Sequence, residues 1–205
     1  MATTPTVQRR GRPPAASRDE VLDAALYRYL RGRRVDVQAI AGELGLGRTT
    51  IYRWFGSREE LIGEVIFRAA EPLIEAARAG ARGRGGTALL DTFDRLNRSF
   101  AEAPALRQFV EQEREVALRI ITSSAGNFHP RMVARITALI EDEVGAGAYD
   151  PPVEPATLGF AIVRLAEAFL FNDAGMRSDV DRLREVEAAI LGVSSTRLKA
   201  DSPQA

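Results

Sequence analysis

Residues 37–61 read VQAIAGELGLGRTTIYRWFGSREEL. Val37, Ile40, Ala41 and Leu44 recur at helical spacing, so the run opens as a short helix with Asp36 as its N-cap. Gly45 stands past the end of that helix, where the chain turns through a positive φ that glycine adopts at no steric cost. Gly47 opens a second helix of about two turns, in which Thr50, Ile51, Trp54 and Phe55 are available for packing. Gly56 breaks it. Ser57-Arg58-Glu59-Glu60 is then a capping box, starting a third helix through Leu61, Ile62, Val65 and Ile66 towards residue 78. Two short helices about a tight turn form a helix-turn-helix, a device that places one helix in the DNA major groove.

Working outward, Ser17-Arg18-Asp19-Glu20 is another capping box and predicts a helix to about residue 32. Leu22, Ala25, Leu26, Tyr29 and Leu30 would form its buried face. Residues 1–16 have no apolar periodicity and are expected to be a disordered basic arm. Downstream, residues 79–87 (AGARGRGGT) form a Gly/Arg loop. Beyond it the spacing predicts helices near 88–102, 105–122, 128–145, 154–172 and 179–191, with no alternating strand pattern. The expected fold is all-α. A helix-turn-helix domain spans 17–66, a second helical domain 67–192, and a disordered tail 193–205.

Composition narrows the function. The chain has no cysteine and one histidine, His129, so neither a thiolate nor a multi-histidine metal site is expected. No apolar run approaches the roughly 18 residues of a membrane span, and no apolar segment follows the charged N-terminus as in a signal peptide. A cytoplasmic protein with no cofactor and no membrane partner is expected. The zero net charge conceals an asymmetry: residues 1–58 carry 11 arginines against five acids, and the remainder is correspondingly acidic. A basic end on an acidic body suits nucleic acid at that end. Catalysis finds no support, because there is no Gly-rich phosphate loop, no nucleophile elbow and no metal constellation. Glu111, Glu113 and Glu115, at i, i+2 spacing, do not share one helical face.

The residues suited to DNA cluster around the second helix of the motif. Arg48, Thr49 and Thr50 at its start would face base edges; arginine can fork onto guanine O6 and N7, and threonine can meet a phosphate or a thymine methyl. Tyr52, Arg53 and Trp54 lie one turn on, beside flanking phosphates. Trp54 is equally open to a core role, and Phe55 reads as core. Arg58 would add its charge to a helix N-terminus, a natural phosphate clamp. Gln38 could touch the opposite backbone. In the arm, Arg10-Gly11-Arg12-Pro13 is an AT-hook-like peptide narrow enough for an A·T-rich minor groove. A generic basic tail on phosphates is the other reading of Arg10, Gly11 and Arg12.

The run Ile40-Ala41, Gly45-Leu46-Gly47-Arg48, Thr50-Ile51-Tyr52-Arg53-Trp54-Phe55, Ser57-Arg58-Glu59-Glu60-Leu61 resembles the DNA-binding signature of TetR-family transcriptional regulators. Two positions depart from it. Gly47 stands where that family usually has a serine N-cap, a loss of roughly a few tenths of a kcal/mol. Arg58 stands where lysine is usual. The resemblance covers residues 17–66. It implies a three-helix DNA-binding domain on a helical ligand-binding and dimerisation domain, which agrees with the non-enzymatic function expected from the missing catalytic motifs. It also implies a homodimer on a palindromic double-stranded operator, most often a repressor released by a small-molecule effector. The run Asn127-Phe128-His129-Pro130-Arg131 further resembles a subgroup governing the breakdown of lactone signals.

Within the second domain, 154–172 is apolar almost all round, which implies burial against a partner subunit. The resemblance pairs this helix and 179–191 across the dimer. Helices 88–102, 105–122 and 128–145 would then enclose the effector. Phe93, Phe100, Phe109, Phe128 and Met132 are its expected apolar lining, alongside Leu96, Leu106, Val110, Leu118, Ile121 and Ile136, and suit a small apolar molecule. Core packing is the competing role for each. Arg164 and Glu167, three apart, can pair, either as a ligand anchor or as an intrahelical pair at the interface edge. His129, before Pro130 at a helix start, is expected at a cap or on the surface. A ligand-independent architectural DNA-binding protein is the alternative function, distinguished by a second domain without a cavity.

Overall fold

The computed structural model describes residues 16–171 and 176–195. Among them are ten helices and no strand. Residues 1–15, with Arg10, Gly11 and Arg12, lie outside the described residues, as does most of the expected tail.

Four helices open the chain: α1 (Arg18–Leu30), α2 (Val37–Glu43), α3 (Arg48–Phe55) and α4 (Arg58–Gly80). The capping box at Ser17 forms in full: its hydroxyl accepts from Glu20 N, while Ser17 N donates to the Glu20 carboxylate. Those hydrogen bonds hold the Glu20 carboxyl below its usual range. Asp36 caps α2 by accepting from the N–H groups of Gln38 and Ala39, which lowers its own pKa. At Ser57 only half the expected box is present, the hydroxyl accepting from Glu60 N. Gly45 takes φ +64° and sets the tight turn between α2 and α3. Helix α1 buries Val21, Leu22, Ala25 and Tyr29, but Leu30, expected on that face, is 59% exposed. Helix α4 continues unbroken through Pro72, which lacks the N–H that would bond back one turn.

The remaining helices are α5 (Gly86–Glu102), α6 (Pro104–Gln112), α7 (Arg114–Thr122), α8 (Phe128–Gly145), α9 (Pro155–Leu170) and α10 (Met176–Leu191). One helix was expected over 105–122, yet the chain breaks at Glu113 (φ −133°, ψ 48°). Helix α8 packs on α9, α10 on α5, and α4 on α5 and α8. Gly159 allows α9 to approach α8 closely: a Cβ there would lie 2.3 Å from Thr137 Oγ1 and 3.1 Å from its backbone. One continuous apolar core runs from Val21 in α1 to Leu191 in α10. The first four helices are therefore joined to the rest by packing and not by a bare linker. Helix α9 buries Leu158, Ile162 and Val163 but leaves Phe160 46% exposed, and Val186 on α10 is also exposed.

Candidate nucleic-acid interface and cavity

Helix α3 separates its side chains by role. Ile51 and Phe55 are buried against α1 and α4, fixing the helix by its inner face. Arg48, Thr49, Tyr52 and Arg53 share the exposed side, and Thr50 is half-buried. Trp54 is half-buried and packs on the core. Arg48 and Arg53 have no ion pair or hydrogen bond among the described residues. Neighbouring arginines differ: Arg18 is paired with Glu64 and stacks on Phe55, Arg28 with Glu43, and Arg68 with Asp23. Unpaired guanidinium groups on an exposed helix, with a hydroxyl-bearing Tyr52 between them, are available to phosphates and base edges. Gln38, at the start of α2, is exposed as well.

Arg58 departs from its expected role. Its Nε donates to Val35 O at 2.7 Å, and its two terminal nitrogens donate to Glu113 at 2.9 and 2.7 Å. All three donor groups are turned to protein acceptors, so the expected phosphate clamp is replaced by a bridge from α4 to the lead into α2 and to the α6–α7 break. Exposed Arg33 and Arg34 belong to that same junction, since both line a small hollow with Phe109 and Glu113.

A cavity of about 510 Å³ lies between α1, α4 and the helices of the second half. Phe93, Leu96, Phe100, Leu106, Ile121, Phe128, Met132 and Ile136 line it, and so does Glu167. Phe109 does not. It stacks edge-on against Tyr29, with ring centroids 6.2 Å apart, at the junction with α1. Arg164 also lies outside the wall, Val110 is buried elsewhere in the core, and Leu118 is 45% exposed. Tyr29 and Leu30 of α1 do line the cavity, which the sequence did not indicate. Burial pushes the Tyr29 hydroxyl pKa up, keeping it neutral.

The polar groups at the wall come from distant parts of the chain. Glu167 is buried, with Oε1 at 2.6 Å from His129 Nδ1 and Oε2 accepting from Arg164 Nη1 at 2.9 Å. Arg164 also donates to Thr122 O and Ser124 Oγ, so the Arg164–Glu167 pair ties α9 to the α7 terminus. His129, expected at a cap or on the surface, is 2% exposed, with Glu167 as its partner across the α8–α9 contact. The surrounding run is equally engaged. Asn127 donates to Glu60 O on α4, Phe128 faces the cavity, and Arg131 stacks over Phe67 at 3.8 Å. Asn97 and Glu187 line the cavity too, joined by a 2.9 Å hydrogen bond.

This arrangement, an exposed basic helix in a helix-turn-helix packed on a helical bundle with a partly open cavity, matches known proteins. Residues 84–192 match the family model described as "Tetracyclin repressor-like, C-terminal domain". The chain belongs to the TetR family. Among solved structures it is similar to the TetR-family transcriptional repressor QsdR of R. erythropolis, with 28% identity and a TM-score of 0.79 over 89% of this chain and 97% of that one. It also shares its fold with the TetR-family repressor AlkX of Dietzia sp. strain DQ12-45-1b, a protein implicated in biodegradation of n-alkanes, at 24% identity and a TM-score of 0.57 over 86% and 96% of the two chains. Comparison with curated proteins gives no match.

As a TetR-family member the chain is a DNA-binding, ligand-responsive regulator that acts as a dimer, and not an enzyme. Among the described residues no helix is long and apolar enough to cross a membrane, and no cluster of three or more metal-binding side chains occurs.

Proposed function

We propose that this TetR-family chain is a repressor, acting in the cytoplasm, that leaves a palindromic operator when a small, largely apolar molecule fills the cavity. Residues 17–66 act as the reader and 67–192 as the receiver and dimer interface. In the reader, Arg48, Thr49, Thr50, Tyr52 and Arg53 meet DNA, with Gln38 on the facing backbone. The one observation that carries the reading is that Tyr29 of α1 lines the cavity while α1 packs behind α3. A molecule in the cavity therefore presses on the helix that supports the reading helix. A tilt of the two readers in the dimer would take their half-site spacing off successive major grooves. The exposed Phe160 on α9 and Val186 on α10 support a two-fold interface built from those helices.

The cavity speaks against a ligand-independent architectural role. The likeness of 127–131 to regulators of lactone-signal breakdown, with Phe128 at the cavity wall, supports a lactone as the effector. Selection from a random duplex pool should return a two-fold symmetric sequence. Arg48→Ala or Tyr52→Ala should weaken binding to it by about 1–3 kcal/mol per half-site while the dimer persists in gel filtration. Unchanged binding in both variants would remove α3 as the reading helix.

A further inference from the structure

Two buried glutamates belong to the cavity wall, and they differ in how their carboxyl oxygens are used. Both oxygens of Glu167 are occupied, by His129 and Arg164. Glu187 on α10 is completely buried; its Oε1 accepts from Asn97 Nδ2 at 2.9 Å, and its Oε2 has no partner. The nearby Arg184 does not supply one, since its guanidinium is directed to Asp94, Leu90 O and Ser195 O. A buried polar atom left unmatched costs about 1–3 kcal/mol, and in a binding cavity the ligand can supply the missing match.

We propose that Glu187 Oε2 is the site that reads the polar head of the effector, and that this head is an uncharged carbonyl acceptor, such as an ester, amide or lactone, on an apolar body. The proposal rests on the reading of the cavity as an effector site. Its logic lies in the hydrogen bond from Asn97. That bond occupies Oε1 with a donor, so the proton of a neutral carboxyl sits on Oε2, the oxygen left without a partner in a residue of the cavity wall. Burial favours the neutral form, pushing the Glu187 carboxyl up to about 8; the Asp94 carboxylate adds to this, while the Asn97 bond and the Arg184 charge oppose it. Asn97 is thus a positioning residue, and Glu187 the contact. The wall around the pair is apolar, with Phe93, Leu96, Ile162 and Val163 ready to cover a hydrocarbon body. An amine head would require the ionised carboxylate and the burial of a second charge.

The test is calorimetric binding of N-methyloctanamide, methyl octanoate, octylamine and octane to the full-length dimer at pH 7. Wild type, Glu187→Gln and Glu187→Leu are compared, with the dimer checked by gel filtration. The amide and the ester should bind best to wild type. Glu187→Gln should hold them within about threefold, because its side-chain N–H replaces the carboxyl O–H, and Glu187→Leu should lose about tenfold or more. Octane should bind weakly and equally to all three. Octylamine binding best and vanishing in Glu187→Gln would overturn the proposal in favour of a cation site. Equal binding of all four probes in wild type, or full retention of amide binding in Glu187→Leu, would overturn it while leaving the cavity reading intact. If no probe binds wild type, both fail. Should Glu187→Leu not fold, the order of amide and amine in wild type and Glu187→Gln still decides.

Discussion

Glu187 has a consequence for stability as well as for binding. In the unfolded chain its carboxyl titrates near 4.5, and in the folded protein burial moves it up to about 8. Between those values the native state holds a proton that the unfolded state has lost. Stability from this group is therefore fully present below about 4.5 and falls as pH rises towards 8. Glu187→Gln removes the titration. Its melting temperature relative to wild type should rise between pH 5 and pH 9, by at least about 2–4 °C for each kcal/mol involved. Scanning calorimetry at the two values checks this, and a constant offset would show that Glu187 is not buried as described. The inward face of α3 was legible because it is set locally: a few residues decide which side of the helix is buried. His129 and Glu187 were not, because their partners lie 38 and 90 residues away. A lone histidine before a proline carries no local sign of a carboxylate on another helix.

At the scale of elements, capping and periodicity carried most of the helix boundaries. The break between α6 and α7 escaped because 105–122 keeps its apolar spacing straight through Glu113. What the break does becomes visible only in three dimensions: it turns Glu113 towards Arg58, 55 residues back in the chain. The same distance explains why Arg58 read as a phosphate clamp. A basic residue in the first turn of a helix looks alike in sequence whether it faces DNA or a carboxylate. The bridge joins the helix pair that walls the cavity to the start of the helix-turn-helix. Glu113→Gln should therefore leave effector affinity within about twofold, yet reduce the effector's coupling to DNA affinity, which is typically about 1–3 kcal/mol. Arg58→Ala should do the same and also lower stability by about 1–3 kcal/mol, because the partly buried Glu113 loses its two hydrogen bonds and keeps only the longer, exposed ion pair with Arg34 at 3.7 Å. Titrating effector into the protein–operator complex reads the coupling directly, and coupling of wild-type size in both variants would exclude the bridge as a route.

At the scale of the molecule, the all-α architecture and the helix-turn-helix were legible throughout, and family membership follows from them together with the match over 84–192. The cavity was legible only as a list of apolar candidates, because core packing and cavity lining select the same side chains. Phe93 and Phe109 are alike in sequence, yet one faces the cavity and the other seals the junction with Tyr29. That junction makes the core continuous from reader to receiver, so occupancy of the cavity and the pose of α3 belong to one packed body. Affinity for the operator should fall steeply with salt, as phosphate contacts from Arg48 and Arg53 in both subunits release counterions. The most direct test of the account is operator affinity, measured by fluorescence anisotropy at fixed salt, as the cavity is filled with the ligand that calorimetry shows to bind there. Affinity should fall about tenfold or more at saturation while the protein stays dimeric. Operator affinity unchanged at full occupancy of the cavity would contradict it.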